Sequence, residues 1–469
     1  MKNLPCSASV REHPEPPLLK GGGPPTGGSE GLCGSLLRIQ KTKANSYCGS
    51  QSPSLGNAEP APFNKGASGW CKFGGLYAAL KPRHSLNFKQ KGDLLLEIYL
   101  DNAATTKPCG AAVAAITNAL TENWGNPSAA HQRGLLAEKA MKQAREQVAS
   151  ALGCPPGQVF FTSGGTEGDN FAVFSVAQKY HKRGKHIITT AVEHHAVLNP
   201  IRHLESQGFE VTYLVPGEDG TISRQQLLSA LRKDTILVSI MMVNNETGAV
   251  NDIAYLSKLT HTRSQAVFHT DAVQGFLKVP FRATSLGADI ITVSSHKICG
   301  PKGCGAVYVD KNLHLPPFLY GGGQEKNMRS GTENVPMILG FGAACQEAAK
   351  NLPEKLQHMN GLKNHCLELI SEQVPQAVLL GSHQAPHIIS LAVPGVRSQG
   401  LIGALQEKGI YVSAGSACAR GHRSHVMEAM NIAPELIDGS IRVSLCYDTT
   451  LEQIEAFAVG LREAVDQLT

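Results

Sequence analysis

From Glu97 onward the chain alternates short apolar runs with longer stretches in which apolar residues recur every three or four positions. The short runs predict strands at 159–162, 186–190, 211–214, 236–241, 266–270, 290–293 and 306–309. The longer stretches predict helices at 135–152, near 170–181, at 224–232 and at 253–261. Strands regularly interleaved with helices predict an α/β fold around a mostly parallel sheet of about seven strands. In such a sheet, functional residues gather past the carboxyl ends of the strands and at helix N-termini. A long helix at 352–374 leads into a second unit, with strands at 388–393, 410–413 and 441–445 and helices at 401–407 and 451–468. This mixture predicts a smaller α+β domain.

The first 96 residues break the pattern. Gly and Pro fill 24 of these positions, as in Gly21-Gly22-Gly23-Pro24-Pro25, and apolar periodicity is weak. Such a segment buries too little apolar surface to fold and is expected to be a disordered extension. Two other readings stand beside that one: a targeting or docking arm, and a start placed too far upstream. No methionine lies between Met1 and Met141, so a shorter product would need a non-AUG start near Leu94 to Leu96. The domain plan is therefore an extension at 1–96, a large domain at 97–350 whose first residues pack with the small domain, and a small domain at 351–469.

Charge sharpens this division. The whole chain carries +5, but residues 1–96 hold 12 Lys/Arg against 5 Asp/Glu, leaving 31 against 33 for the rest. The folded body is thus near neutral, and no nucleic-acid face is expected. Twelve cysteines occur without CxxC pairs or His/Cys metal spacing, which predicts reduced thiols, no resident metal and a cytoplasmic protein. No apolar run approaches the roughly 20 residues of a membrane span, and the N-terminus lacks the apolar core of a signal peptide.

Candidate chemistry centres on Ser294-Ser295-His296-Lys297, which lies some two dozen residues after Asp271 at the end of an apolar strand. This arrangement suits pyridoxal phosphate: Lys297 for the Schiff base, Asp271 for the pyridinium nitrogen, Ser294 and His296 for the phosphate. Ser163-Gly164-Gly165-Thr166-Glu167 joins a strand to a helix, where freed backbone N–H groups and the helix dipole make an anion cradle. Gln274, three residues after Asp271, falls on the same face of the following turn and can hold a phenolic oxygen. His194 follows the 186–190 strand, placed to stack on a ring and exchange protons, while alternation points His195 elsewhere. Cys418, in Ser413-Ala414-Gly415-Ser416-Ala417-Cys418, adds a thiol in a small-residue loop.

Together these stretches resemble the cysteine desulfurases of the class V aminotransferases, fold-type I pyridoxal phosphate enzymes. The resemblance runs from about Tyr99 to the C-terminus. It also rests on Tyr99-Leu100-Asp101-Asn102-Ala103-Ala104-Thr105-Thr106, Gly125-Asn126-Pro127-Ser128, Val243-Asn244-Asn245-Glu246-Thr247-Gly248, Arg329-Ser330-Gly331-Thr332 and Ser440-Ile441-Arg442.

The resemblance implies specific roles. Lys297 is the Schiff-base lysine; Gly165, Thr166, Ser294 and His296 bind the phosphate; Asn245, Asp271 and Gln274 contact the cofactor. Thr332 reaches the phosphate of a neighbouring subunit, which implies a homodimer with shared sites. Asn245 and Arg442 fix the substrate carboxylate, with Asn126 lining the same pocket. Cys418 takes sulfur from L-cysteine as a persulfide and releases L-alanine, for iron–sulfur cluster assembly or tRNA thiolation, and it can ligate a nascent cluster during transfer. Arg420, His422 and Arg423 follow closely enough to lower its pKa. Cys299, Cys304 and Cys446 are expected to be packing residues. Only five residues separate Cys418 from the helix expected at Ser424-His425-Val426. A short tether limits its swing and leaves open whether it hands sulfur directly to a scaffold or a tRNA-thiolation protein. The alternatives are a selenocysteine lyase, another pyridoxal lyase or aminotransferase, and a non-catalytic sulfur carrier on the same fold.

Overall fold

The computed structural model describes residues 97–415 and 423–469. Its centre is a seven-stranded sheet in the order Val159–Thr162, Gly305–Val309, Ile290–Ser294, Val267–Asp271, Thr235–Ser239, His186–Thr190, Glu210–Leu214. Gly305–Val309 runs antiparallel to both its neighbours and every other pair is parallel. Five of the strands are buried at every position. Helices cover both faces of such a sheet, which is why these strands read as continuous apolar runs rather than as alternation.

The 170–181 helix expected from the sequence begins earlier, at Gly165. Gly164 precedes it with φ 156° and ψ −175°, a conformation essentially confined to glycine, and so turns the chain sharply from strand to helix. The helix N-terminus therefore sits directly at the predicted cradle. Three further helices of twelve or more residues were not foreseen. Gly110–Thr121 and Val335–Ala349 pack on one another, and Val335–Ala349 also packs on Gln132–Leu152. Gly340 permits this close approach, since a Cβ there would lie 2.7 Å from Ile116 Cγ1. His195–Ser206 carries Pro200 within it, which weakens its helical signal in the sequence.

A second sheet orders Ser413–Ala414, Ser440–Ser444, Ile388–Ala392 and Val378–Leu379, all antiparallel. The strand expected at 410–413 is broken: Tyr411 pairs with Tyr99, whereas Ser413 pairs with Arg442. The chain changes partners at Val412. Ile98–Tyr99 runs parallel to Ile410–Tyr411. Ile98 and Leu100 share a core with Leu391, Val443, Phe457 and Leu461, so the first described residues pack among the C-terminal elements. Leu352–Gln373 and Leu451–Leu468 pack against each other and contribute Leu362, Cys366, Phe457 and Leu461 to that core. No helix among the described residues is long and apolar enough to cross a membrane.

Candidate active site

The carboxyl ends of three parallel strands converge on one cavity of about 290 Å³. Asp271 closes Val267–Asp271, Ser294 closes Ile290–Ser294, and His194 follows His186–Thr190. All three line the cavity, as do Gly165, Thr166, Asn245, Gln274, His296, Lys297 and Arg442. Of the thirteen residues expected to carry function, ten therefore meet at one place.

Lys297 ends a single 3-10 turn, Ser295–Lys297, directly after its strand. Its Nζ donates to the carbonyls of Ala103, at 2.5 Å, and Ala104, at 2.7 Å. The amine is thus held against the 103–104 loop, within the cavity. Gln274 donates from Nε2 to Ala103 O at 2.8 Å and pairs through Oε1 with His387 Nε2 at 3.2 Å.

The Asp271 carboxylate accepts the Val273 N–H at 2.8 Å. Burial, reinforced by the Asp169 carboxyl behind it, pushes its pKa up to about 7. Asp169 is itself pushed up to about 7 by burial, and its Oδ1 lies 3.5 Å from His269 Nε2. Two buried carboxyls that repel one another resist joint ionisation. A protonated ring nitrogen at Asp271 would relieve that penalty, so the pair is suited to a cationic heterocycle.

His194 caps the His195–Ser206 helix, its Nδ1 accepting the Ala196 N–H at 3.1 Å. The proton of the neutral ring is thereby placed on Nε2. Burial, then the neighbouring Lys297, lowers the pKa of His194 to about 4, which keeps the imidazole neutral and apt for stacking. The expectation that His195 points elsewhere is corrected. It also lines the cavity, because the chain turns into a helix at this residue and strand alternation no longer applies. Its ring lies 4.6 Å from that of His425, centroid to centroid. His425 Nε2 bonds to Glu193 O at 2.9 Å and had no separate signal in the sequence.

The anion cradle opens beside this cavity, lined by Ser163, Gly164, Thr166, Ser294 and His296. Ser294 Oγ is buried and has no hydrogen-bond partner among the described residues. His296 Nδ1 lies 3.2 Å from Thr105 Oγ1. Burial, then Lys297, lowers the His296 pKa to about 4. Glu167, in the first turn of the helix, is paired with Arg329 at 2.7 Å. An orphaned hydroxyl, open helix N–H groups and a neutral imidazole fit a phosphate group.

Arg442 is 2% exposed. It donates from Nη1 to Asn245 O at 2.8 Å and from Nη2 to Asp101 Oδ1 at 3.0 Å, while Nε has no hydrogen-bond partner among the described residues. Asp101, to which its local sequence gives no role, is the counter-ion of this guanidinium. The fork retains donors for a carboxylate.

Asn126 and Thr332 are exposed and are not brought to the cavity. Asn126 Oδ1 instead accepts the Ser128 N–H at 2.9 Å, closing its own turn. Cys418, with Arg420 and His422, lies outside the described residues.

Comparison with known proteins bears on the same region. The aminotransferase class-V family profile matches residues 98–457. The cysteine desulfurase IscS of Dictyoglomus turgidum is 40% identical over 376 residues, covering 79% of this chain and 95% of that protein. The IscS of Escherichia coli O139:H28 is 40% identical over 382 residues, covering 80% and 94%. Among solved structures, a NifS-like protein superposes with a TM-score of 0.75 at 34% identity, over 80% of this chain and 100% of its own. A NifS-like protein from Rickettsia africae gives 0.71 at 32% identity, over 79% and 100%.

Proposed function

The chain belongs to the aminotransferase class-V family, and from that premise we propose that it is a cysteine desulfurase: it takes sulfur from L-cysteine and releases L-alanine. The observation that carries this reading is the shared cavity, where Lys297, Asp271, Ser294 and Arg442 meet. A lysine amine, a ring-nitrogen partner, a phosphate cradle and a carboxylate fork on one surface are the parts that pyridoxal chemistry on an amino acid requires.

Pyridoxal phosphate would be held by Lys297 at its aldehyde carbon, by Asp271 and Gln274 at the ring, and by Gly165, Thr166, Ser294 and His296 at the phosphate. When bound, it supplies an electron sink next to the substrate Cα. The remaining work falls to the chain. Arg442, steadied by Asp101, grips the substrate carboxylate with Asn245 beside it. Lys297 takes the Cα proton and returns it. Neutral His194 would cover the ring, and its Nε2–H can donate a hydrogen bond to the substrate. Cys418, as thiolate, forms a bond to the substrate sulfur while the carbon–sulfur bond breaks, so that the enzyme keeps a persulfide and the carbon skeleton leaves as alanine.

Thr332 is exposed in the single chain, in keeping with a homodimer in which it serves the neighbour's phosphate. We assign the sulfur to iron–sulfur cluster assembly, with a scaffold as acceptor, and place the enzyme in the cytoplasm. Borohydride reduction of the holoenzyme followed by peptide mapping tests the reading. The cofactor should be fixed to the Lys297 peptide, and fixation to another lysine would overturn it.

A further inference from the structure

Cys299 and Cys446 come from distant parts of the chain, yet their Sγ atoms stand 3.3 Å apart. Cys299 lies two residues past Lys297, and Cys446 two residues past the strand Ser440–Ser444 that bears Arg442. Both backbones are held by threonines: Cys299 N–H donates to Thr106 Oγ1 at 2.7 Å, and Cys446 N–H to Thr449 Oγ1 at 2.9 Å. Cys299 adopts φ 61°, in the left-handed region that residues other than glycine disfavour. Such an outlier next to reactive groups points to function.

The packing role expected for these two cysteines does not describe what surrounds them. Lys278 is 1% exposed, and its Nζ has no hydrogen-bond partner among the described residues. The groups that interact electrostatically with it include both thiols and Arg442. Asp448 also acts on both sulfurs, and Tyr447 interacts with each. The hydrogen bond from Cys446, with smaller help from Thr106 and Lys278, lowers the Cys299 pKa to about 7 despite burial. Cys446, as the proton donor, is held well above the usual thiol range. Cys304, which does pack in the core, is pushed up to about 12. Two thiols and a buried lysine amine, whose own pKa burial lowers, thus form a group the desulfurase chemistry does not use.

We propose that Cys299 and Cys446 are an oxidation site for hydroperoxides, forming a disulfide that ties the Lys297 turn to the strand bearing Arg442. The Cys299 thiolate attacks a peroxide oxygen, the oxygen–oxygen bond breaks, and the departing oxygen takes a proton. Cys299 is then a sulfenic acid. Cys446 sulfur attacks Cys299 sulfur, the sulfur–sulfur bond forms, and the hydroxyl leaves as water with the Cys446 proton. Two thiols lose two electrons and two protons, and hydrogen peroxide becomes two waters. Lys278 favours the thiolate at the start and the departing hydroxide at the end. The site stands apart from the desulfurase reading and would operate whichever substrate the cavity takes.

The test uses the full-length holoenzyme at pH 7, treated with hydrogen peroxide, alkylated and mapped without reduction. The expected product is a Cys299–Cys446 linked peptide pair, two hydrogens lighter than the separate thiols, restored by dithiothreitol and missing from Cys299→Ser and Cys446→Ser. Removing the smaller Lys278 contribution in Lys278→Met should raise the Cys299 pKa part of the way to that of a free thiol and slow linkage by up to about threefold, because the loss of thiolate outweighs its gain in nucleophilicity. The pH profile of Cys299 alkylation in the unmodified protein gives an independent reading, with a midpoint near 7 expected. Irreversible oxidation of Cys299 with Cys446 still free, an oxygen-bridged link to Lys278, or a midpoint at or above 8.5 would overturn the proposal.

Discussion

Arg442 Nη2 donates to Asp101 Oδ1 at 3.0 Å, joining an inner strand of the C-terminal sheet to the start of the described chain. The guanidinium is held from that side and from Asn245 O, with its remaining donors kept for the cavity. A lysine cannot reproduce this fork. Arg442→Lys is therefore expected to raise KM for L-cysteine by about 10- to 100-fold, the loss of one charge-assisted pair of roughly 1.5–3 kcal/mol. Steady-state kinetics on the holoenzyme check this; an unchanged KM would remove Arg442 from carboxylate binding.

Ser294 Oγ is buried without a partner. Removing it deprives the apoprotein of nothing, but deprives a bound phosphate of one donor. Ser294→Ala should leave the apoprotein's denaturation midpoint unchanged or slightly raised, and weaken pyridoxal phosphate binding by about 3- to 10-fold. Cofactor titration followed by absorbance gives the second number, and urea unfolding the first.

Asp169 and Asp271 both have folded pKa values raised to about 7 by burial and, for Asp271, by its neighbour. In the unfolded chain they titrate near 3.9. Between about pH 4 and pH 7 the folded apoprotein binds more protons than the unfolded chain, so its stability falls as pH rises through that window. Asp169→Asn removes one acid and should flatten the fall, with a higher Tm than the parent at pH 8. Bound cofactor should flatten it as well, by supplying Asp271 with a cation. Thermal melts of apo and holo protein from pH 4 to 8 measure both effects.

Glu325 accepts from Arg145 through both oxygens, at 2.8 and 2.6 Å, and also from the Phe161 N–H at 2.9 Å. Both side chains are largely buried. Glu325→Ala strands the guanidinium and an edge-strand N–H, with an expected loss of about 3–5 kcal/mol. Urea unfolding of the two proteins is the check; a difference below about 1 kcal/mol would mean that water or a rearranged partner replaces the carboxylate.

The parallel strands were legible to within about two residues, because strands covered on both faces are continuous apolar runs. The residues at their ends were legible for the same reason, since a strand's carboxyl end is where Asp271, Ser294 and His194 stand. Helices hidden by local composition escaped. Pro200 lay inside one, and Val335–Ala349 is so apolar on all sides that it lacks a polar face. Contacts across long sequence separations were illegible altogether. Nothing local to Asp101 announces Arg442, nothing near Cys299 announces Cys446, and His195 faces the cavity only because a helix begins there.

The most direct test of the desulfurase account follows alanine and sulfide from L-cysteine in the holoenzyme and in Cys418→Ala, with the visible cofactor spectrum recorded alongside. The account predicts alanine in step with sulfide under reducing conditions, lost in Cys418→Ala while the cofactor band persists. Bound cofactor with no alanine from cysteine in the unmodified protein, or undiminished turnover in Cys418→Ala, would contradict it.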